Sequence, residues 1–159
     1  MKTEILFPEV ANLCGDLMNV TYLRQCCPEM EVVETGLKDR PAFLDGGVDL
    51  VYVGSATERG LQLMVKALAP YRAELERYVD GGGLMLATGN ALDALGEYVV
   101  IDGKRAFDGL GILKTHAEYH MMKRHNSFLL GSFQDMEIVG FKSLFGHTYP
   151  DDELANPLF

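Results

Sequence analysis

The stretch LMLATGNALDALG at positions 84–96 decides the fold that we predict for this chain. An apolar strand at 84–88 runs into a sharp glycine turn, and the turn opens onto a short helix at 91–95. In α/β enzymes such a strand–turn–helix elbow commonly holds the nucleophile. Here the tip of the turn reads Thr88-Gly89-Asn90, with neither Cys nor Ser at its apex. The stretch therefore predicts an elbow, and it leaves open an active site, a binding site or the remains of one.

Strand and helix patterns alternate along the chain up to this elbow. Short apolar segments predict strands at 2–7 (KTEILF), 30–34 (MEVVE) and 48–53 (VDLVYV), while helical spacing of apolar residues covers 16–25, 61–68 and 75–79. The segment VDLVYV is nearly all apolar, which is typical of a central parallel strand, and we expect LMLAT beside it near the middle of the sheet. We expect Asp16 to cap the first helix. The alternation predicts a three-layer α/β domain with a mostly parallel central sheet.

The sequence after Tyr98 changes to short strands and turns. Its segments YVVIDGK, FDGLGIL and MEIVGFKSLFGHTY predict C-terminal β-hairpins, and Asp102-Gly103 between apolar residues is a good hairpin signal. Because no linker, internal repeat or low-complexity tract interrupts the 159 residues, we expect a single domain over 1–159.

Composition and charge exclude several classes of protein. Apolar residues make up 48% of the chain, which is ordinary for a globular domain. The net charge of −9 argues against nucleic acid as a partner, since phosphate binding needs a basic surface. The chain contains no apolar run of about 18 residues, so we expect no membrane association and a cytoplasmic location.

Cysteine and histidine usage favours structural roles over metal or redox chemistry. Cys14, Cys26 and Cys27 make a poor disulfide framework, and we expect small thiols in or near the core, with Cys14 alone a candidate reactive thiol. His116 and His120 lie four residues apart in HAEYHMMKRH, but HAEYH is not the HExxH zinc pattern. We therefore expect surface or partner-contact histidines, no metal site and no cofactor.

Two strand ends are candidate ligand-binding turns. The tripeptide GSA at 54–56 follows VDLVYV, and TGN at 88–90 follows the strand of the elbow. Ligands in open α/β sheets bind outside the carboxyl ends of the strands, where small residues let backbone N–H groups approach them. The same residues are also common in tight turns that bind nothing.

Six blocks of the sequence carry a family resemblance. They are FPEVANLCGDLMNVTYLR, VDLVYVGSATER, LMLATGNALDALG, FDGLGIL, VGFKSLFGHTY and NPLF. Their order, over nearly the whole chain, resembles the class I glutamine amidotransferases of the cobyric-acid-synthase type (CobB/CobQ-like), closest to the glutaminase subunits of lipid II isoglutaminyl synthases. The resemblance implies a flavodoxin-like fold. It also implies an activity in cell-wall or cobalamin amidation, in which a Cys thiolate on the elbow attacks the glutamine carboxamide and releases ammonia for a partner active site.

The resemblance further implies where the catalytic groups of the family fall. The family motif L-A-x-C-G-G-Y-Q-x-L-G, aligned over 86–96, puts the nucleophile at Gly89, its two glycines at Asn90 and Ala91, and its glutamine-contacting Gln at Asp93. The family's glycine triplet corresponds to GSA at 54–56. Its catalytic His follows the block that corresponds to NPLF, and His147 takes the place of an Arg. We expect a degenerate chain that lacks the nucleophile, the base and the family's C-terminal segment.

Three functions remain open. The first is a non-catalytic amidotransferase-like subunit with a binding or structural role, paired with a Mur-ligase-like or other amidotransferase partner, or assembled as a homo-oligomer. The second is a glutaminase-type subunit of a cobyric acid or lipid II amidation complex that a partner completes. The third is a small-ligand binding protein that uses the vestigial pocket between the two turns. The residues expected to line this pocket are Gly54, Ser55, Glu58, Gly89, Asn90, Asp93 and Arg124.

Overall fold

The structure, a computed structural model, describes residues 1–151. The chain divides into two compact units, Met1–Leu95 and Gly96–Phe159. The boundary falls directly after the elbow helix, and each unit is continuous in sequence. The expectation of one domain over 1–159 stays a prediction.

The first unit is an α/β structure built on a parallel sheet of four strands in the order β2-β1-β3-β4. The predicted alternation is confirmed, and the strand order is consistent with a flavodoxin-like fold. In chain order its elements are β1 (Lys2–Leu6), α1 (Met18–Cys26), β2 (Glu31–Thr35), β3 (Leu50–Val53), α2 (Glu58–Leu68), α3 (Arg72–Asp80), β4 (Leu84–Ala87) and α4 (Ala91–Leu95).

Strand β3 lies inside the sheet and is buried along its whole length, as VDLVYV predicts. Ile5 and Tyr52 lie side by side in the register and pack with Val20 of α1 on one face of the sheet. On the opposite face Leu6 and Val53 are equally buried, because successive residues of a strand point to opposite faces. The sheet is therefore covered on both faces.

Strand β4 departs from the predicted position. It pairs with β3 in parallel, so the expectation that the two strands are neighbours is confirmed, but within residues 1–151 it has no second neighbour and forms the edge of the sheet. Leu84 is 62% exposed and Leu86 is 40% exposed. The expectation that LMLAT lies near the middle of the sheet is wrong, because an apolar segment shows that a strand can be buried and not how many neighbours it acquires.

The start of α1 also differs from the prediction. The N-cap residue is Leu17, which makes no side-chain capping bond, and the Asp16 carboxylate is directed at the ends of β3 and β4 instead. The Asn12 side chain accepts the Leu17 N–H at 3.0 Å and so supplies part of the missing cap. Helix α2 follows the expected pattern, because Thr57 caps it by accepting the Gly60 N–H at 3.1 Å.

A buried carboxylate that the sequence analysis did not single out ties β1 to neighbouring segments. Glu4 is fully buried, and its oxygens accept hydrogen bonds from Thr35 Oγ1 (2.5 Å), the Ala42 N–H (2.6 Å) and the Phe43 N–H (2.7 Å). Burying a charge is costly unless it is fully hydrogen-bonded. Glu4 is therefore a structural link between β1, β2 and the 3-10 turn at Ala42–Asp45.

The second unit consists of strands alone within its described part, residues 96–151. One sheet has the order β10-β7-β5-β6, and β8 pairs with β9 in a separate two-stranded sheet. Asp102 and Gly103 join β5 to β6 with φ values of 47° and 77°, the positive values that two-residue hairpin turns require. The strands are β5 (Tyr98–Ile101), β6 (Lys104–Asp108), β7 (Thr115–Tyr119), β8 (His125–Phe133), β9 (Met136–Leu144) and β10 (Gly146–Pro150).

The three thiols are free, and two of them lie outside the core. Cys14 and Cys26 are exposed, so the expectation of core or near-core thiols is wrong for both. Cys27 is half-buried and packs against the core around Val20. Cys26 occupies an outward position at the end of α1, which the apolar spacing of the helix alone does not reveal. Over residues 1–151 no helix is long and apolar enough to cross a membrane.

Candidate functional site

The candidate site lies at the carboxyl ends of the parallel strands, where three chain segments meet. The loop after β1 reaches the turn after β3: the Leu13 N–H donates to the Ser55 carbonyl at 2.9 Å, and Ser55 Oγ donates to the Leu13 carbonyl at 3.1 Å. The strand order reverses between β1 and β3, and crevices at such switch points are the usual ligand sites of open α/β sheets. The geometry thus places the two predicted turns where a site is expected.

The Asp16 carboxylate joins the ends of β3 and β4. Its Oδ2 atom accepts the Ser55 N–H at 2.7 Å and the Thr88 hydroxyl at 2.9 Å. Partial burial raises the pKa of this carboxyl, but its interactions with Ser55 and with the Thr88 hydroxyl lower the pKa by a larger amount, so the pKa lies below its usual value of about 3.9. Asp16 is therefore held as a carboxylate at neutral pH.

The phenol of Tyr52, a residue of strand β3, belongs to the same hydrogen-bond network. Its hydroxyl donates to the Asp16 carbonyl at 2.7 Å, accepts from Asn19 Nδ2 at 3.2 Å and lies 3.1 Å from Thr88 Oγ1. The sequence analysis missed both Tyr52 and the role of Asp16. The available signal was the aromatic hydroxyl in the otherwise aliphatic end of VDLVYV, since a buried Tyr normally finds a hydrogen-bond partner.

The side chain of Asn90 binds the backbone of the turn after β3. Asn90 Oδ1 accepts the Ala56 N–H at 2.9 Å, and Asn90 Nδ2 donates to the Ala56 carbonyl at 2.8 Å. The Ser55 N–H is bonded to Asp16, so two consecutive N–H groups of the 54–56 turn donate to side chains of the same chain. An incoming oxyanion would have to displace those side chains.

Two glycines allow the turns to approach each other closely. Gly89 has φ +56°, and a Cβ atom there would lie 2.8 Å from Ser55 Cβ. A Cβ atom on Gly54 would collide with the Ala11 carbonyl oxygen. Both positions therefore require glycine: Gly89 because of its positive φ and its close contact, and Gly54 because of its close contact alone. The two turns touch at the point where the sequence predicts a pocket.

The residues predicted to line the pocket are only partly brought together. Ser55, Gly89 and Asn90 are neighbours through the contacts above, and Gly54 immediately precedes them at the end of β3. Asp93 is buried in α4, where its N–H donates to the Asn90 carbonyl at 3.0 Å.

The other two residues have different surroundings. Glu58 opens α2 directly after its N-cap. Arg124 belongs to the second unit, where it donates to Ser143 Oγ at 3.3 Å and lies over the ring of Phe145. Their part in a ligand pocket stays a prediction.

Among residues 1–151, the acid–base groups in direct contact with the elbow are hydroxyls and one carboxylate. Thr88 supplies one hydroxyl and Asp16 accepts its hydrogen bond. A carboxylate whose pKa is lowered is a weak base, so it is poorly suited to activating a hydroxyl near neutral pH. Cys14, in the loop after β1, is exposed with φ +59°, and its neighbour Leu13 is the residue bonded to Ser55.

The four histidines belong to the second unit: His116, His125 and His147 lie on strands β7, β8 and β10, and His120 directly follows β7. The residues HAEY of the HAEYH segment belong to β7. His116 stacks between the rings of Tyr98 and Tyr149, and its Nδ1 lies 2.6 Å from Asp151 Oδ1. Burial and the charges of Lys142 and the neighbouring histidines lower the pKa of His147. Within residues 1–151 no group of three His, Cys, Asp or Glu side chains is placed to hold a metal ion.

Comparison with known proteins gives one distant relative. No family model matches the chain. Over 145 residues, covering 88% of this chain, it is 28% identical to the lipid II isoglutaminyl synthase (glutamine-hydrolyzing) subunit GatD of Staphylococcus aureus strain N315. The chain spans 58% of the length of that relative. This similarity supports a relationship to GatD-like amidotransferase subunits, in agreement with the resemblance carried by the sequence blocks.

Proposed function

We propose that this chain is an amidotransferase-like subunit in which the elbow turn is a structural joint and does not carry out glutamine hydrolysis. The observation that supports this most directly is the engagement of the Ser55 and Ala56 N–H groups by Asp16 and Asn90. The turn that would stabilise an oxyanion in the family is hydrogen-bonded within the chain. The role that we propose for this site is therefore binding or assembly and not hydrolysis.

The requirements of covalent amide hydrolysis give the physical reason. The reaction needs a nucleophile, a base within hydrogen-bond reach of it, and free donors aimed at the developing oxyanion. The nucleophile position of the family motif is Gly89, which cannot attack a carboxamide. Thr88 Oγ1 is the adjacent hydroxyl, and its proton is directed at Asp16. The contact between Gly89 and Ser55 also occupies the space that a nucleophilic side chain would need.

The similarity to the Staphylococcus aureus protein supports a role as a subunit. The Staphylococcus aureus relative is named as a subunit of a synthase. We propose that this chain likewise acts with a partner, a Mur-ligase-like or other amidotransferase subunit, and that it self-associates. The alternative is a glutaminase-type subunit of a cobyric acid or lipid II amidation complex whose chemistry a partner completes.

Ammonia release from glutamine separates the two functions. We expect the purified chain to release no more ammonia than the same chain after heat denaturation, with or without an alkylating agent. The glutamine-hydrolysing relative serves as the positive control. Turnover that alkylation abolishes would contradict the proposal, and the Cys14→Ser variant would then show whether the thiol of the loop after β1 is the nucleophile. Turnover that appears only on addition of a Mur-ligase-like protein would support the alternative.

A further inference from the structure

The strands β8 and β9 form a two-stranded hairpin whose outer face is apolar. Nine residues of each strand pair in antiparallel register, and the sheet contains no third strand among residues 1–151. An isolated two-stranded hairpin is marginally stable in water, and three or more strands or a packing partner are normally needed. A long hairpin of this kind is therefore expected to be covered.

The outer hairpin face is defined by two cross-strand pairs. Phe128 lies opposite Phe141, and Leu130 lies opposite Val139, so all four side chains point to the same side. Their exposed fractions are 79%, 63%, 78% and 71%. The two phenyl rings meet edge to face with centroids 5.6 Å apart. Exposed apolar clusters of this density are typical of interaction surfaces.

The reverse face of the hairpin has a different composition. Lys142 lies there opposite Ser127, and the pairs Leu129–Gly140, Gly131–Ile138 and Phe133–Met136 follow it along the hairpin. Six residues of this face are half-buried, whereas all eight paired residues of the outer hairpin face are exposed; the half-buried residues are Ser127, Gly131, Phe133, Ile138, Gly140 and Lys142. A charged lysine and two residues without side chains break the apolar surface. The outer hairpin face is thus the one suited to packing.

Opposite charges mark the two ends of the outer hairpin face. At the open end Arg124 donates to Ser143 Oγ at 3.3 Å, and Ser143 Oγ in turn donates to Asn126 Oδ1 at 2.7 Å. At the end near the turn the register pairs Ser132 with Glu137. One end of the apolar strip therefore carries a guanidinium and the other a carboxylate.

We propose that the outer hairpin face packs against the same face of a second copy of this chain, with the two hairpins running in opposite directions. A two-fold axis across the strands places the phenyl pair of one copy over Leu130 and Val139 of the second copy. It also places Arg124 of each copy opposite Glu137 of the other. A two-fold axis along the strands would instead place like ends together, with phenyl pair against phenyl pair. The first arrangement is favoured because it brings opposite charges together and packs the larger phenyl pair against the smaller pair of Leu130 and Val139.

The area available matches a weak dimer. Aromatic side chains bury about 150–250 Å² when fully covered, so the four exposed side chains offer roughly 500 Å² per copy. Two copies together bury roughly 1,000 Å², which is the lower limit for a specific interface. Dissociation in the micromolar range is expected. The dimer rests on the self-association that we propose above and assigns a surface to it. It is independent of whether the chain hydrolyses glutamine.

Charge reversal tests the proposal by sedimentation velocity across a dilution series in the micromolar range. Wild type is expected to shift from dimer to monomer on dilution. Glu137→Arg and Arg124→Glu are each expected to weaken dimerisation by about tenfold or more, since each creates two like-charge contacts. The Arg124→Glu/Glu137→Arg double variant restores opposite charges across the interface and is expected to recover the dimer.

Two further variants separate this face from the rest of the surface. Leu130→Lys, at the centre of the outer hairpin face, is expected to abolish the dimer. Met18→Lys on α1 adds the same charge at a side chain that is 67% exposed and is expected to have no effect. Far-UV circular dichroism checks that each variant keeps its strands. A wild type that is monomeric at every concentration, a double variant no better than the singles, or equal loss with Met18→Lys would each overturn the proposal. Absence of a dimer would leave the ammonia-release result unaffected.

Discussion

Asp16 and Thr88 lie 72 positions apart in the sequence, yet the Thr88 hydroxyl donates to the Asp16 carboxylate at 2.9 Å. The same carboxylate oxygen accepts the Ser55 N–H at 2.7 Å. One side chain of the loop before α1 thereby fixes the ends of β3 and β4 relative to each other. The two donors at these strand ends, the Ser55 N–H and the Thr88 hydroxyl, are thus both bonded to a carboxylate of the same chain.

The first prediction concerns the charge of Asp16. Asp16→Asn is expected to lower the free energy of unfolding by about 1–2 kcal/mol at pH 7, because hydrogen bonds to a charged acceptor are stronger than those to a neutral one and partial exposure reduces the difference. The measurement is urea denaturation followed by circular dichroism. Glu29→Gln, at an exposed position between α1 and β2, is the matched control and is expected to change little.

The same variant has a defined pH dependence. The folded-state pKa of Asp16 is lowered, so its stabilising effect is complete above the unfolded-state pKa of about 3.9 and is lost as the pH falls through the lower folded-state pKa. The difference in unfolding free energy between wild type and Asp16→Asn is therefore expected to shrink below pH 4 and to stay constant above about pH 5. A difference that grows in acid would contradict this account of the carboxylate.

The second prediction concerns the contact between the two turns. Gly89→Ala is expected to cost about 1–2 kcal/mol for the positive φ and roughly 1–3 kcal/mol more for the crowding of Ser55. Gly47→Ala is the matched control, because its φ is +76° and nothing lies within 4 Å of a Cβ atom there. The measurement is the free energy of unfolding of both variants. Equal losses of unfolding free energy in Gly89→Ala and Gly47→Ala would show that the contact between the two turns adds no steric cost.

The third prediction concerns the amide of Asn90. Asn90→Ala removes two hydrogen bonds to the Ala56 backbone and is expected to lower the free energy of unfolding by about 1–3 kcal/mol, because the Ala56 N–H and carbonyl lose their partners. Gln62→Ala, on the exposed side of α2, serves as the control and is expected to stay within about 0.5 kcal/mol of wild type. Hydrogen exchange of the Ala56 N–H should accelerate in Asn90→Ala alone. Unchanged exchange would mean that the Asn90 bond does not protect this turn.

Local sequence patterns were sufficient for the strand–helix alternation, because the apolar period differs between strands and helices and is written in consecutive residues. They identified β3 as a buried strand and β4 as its neighbour. They also drew attention to the 54–56 and 88–90 turns, since small residues after an apolar strand are a local signal. The exposed edge position of β4 and the outward position of Cys26 were not predictable, because both depend on which segments of the fold pack beside them.

The amino-acid sequence alone was enough to predict the α/β alternation and to locate the two small-residue turns at 54–56 and 88–90. Only the tertiary structure decided what those turns do, because Asp16 reaches Ser55 and Thr88 across separations of 39 and 72 residues. A hydrogen bond requires two atoms within about 3 Å, and such a distance across the fold is set by the packing of whole elements. The outer hairpin face has the same origin, because only the register between β8 and β9 shows which four apolar side chains share one side.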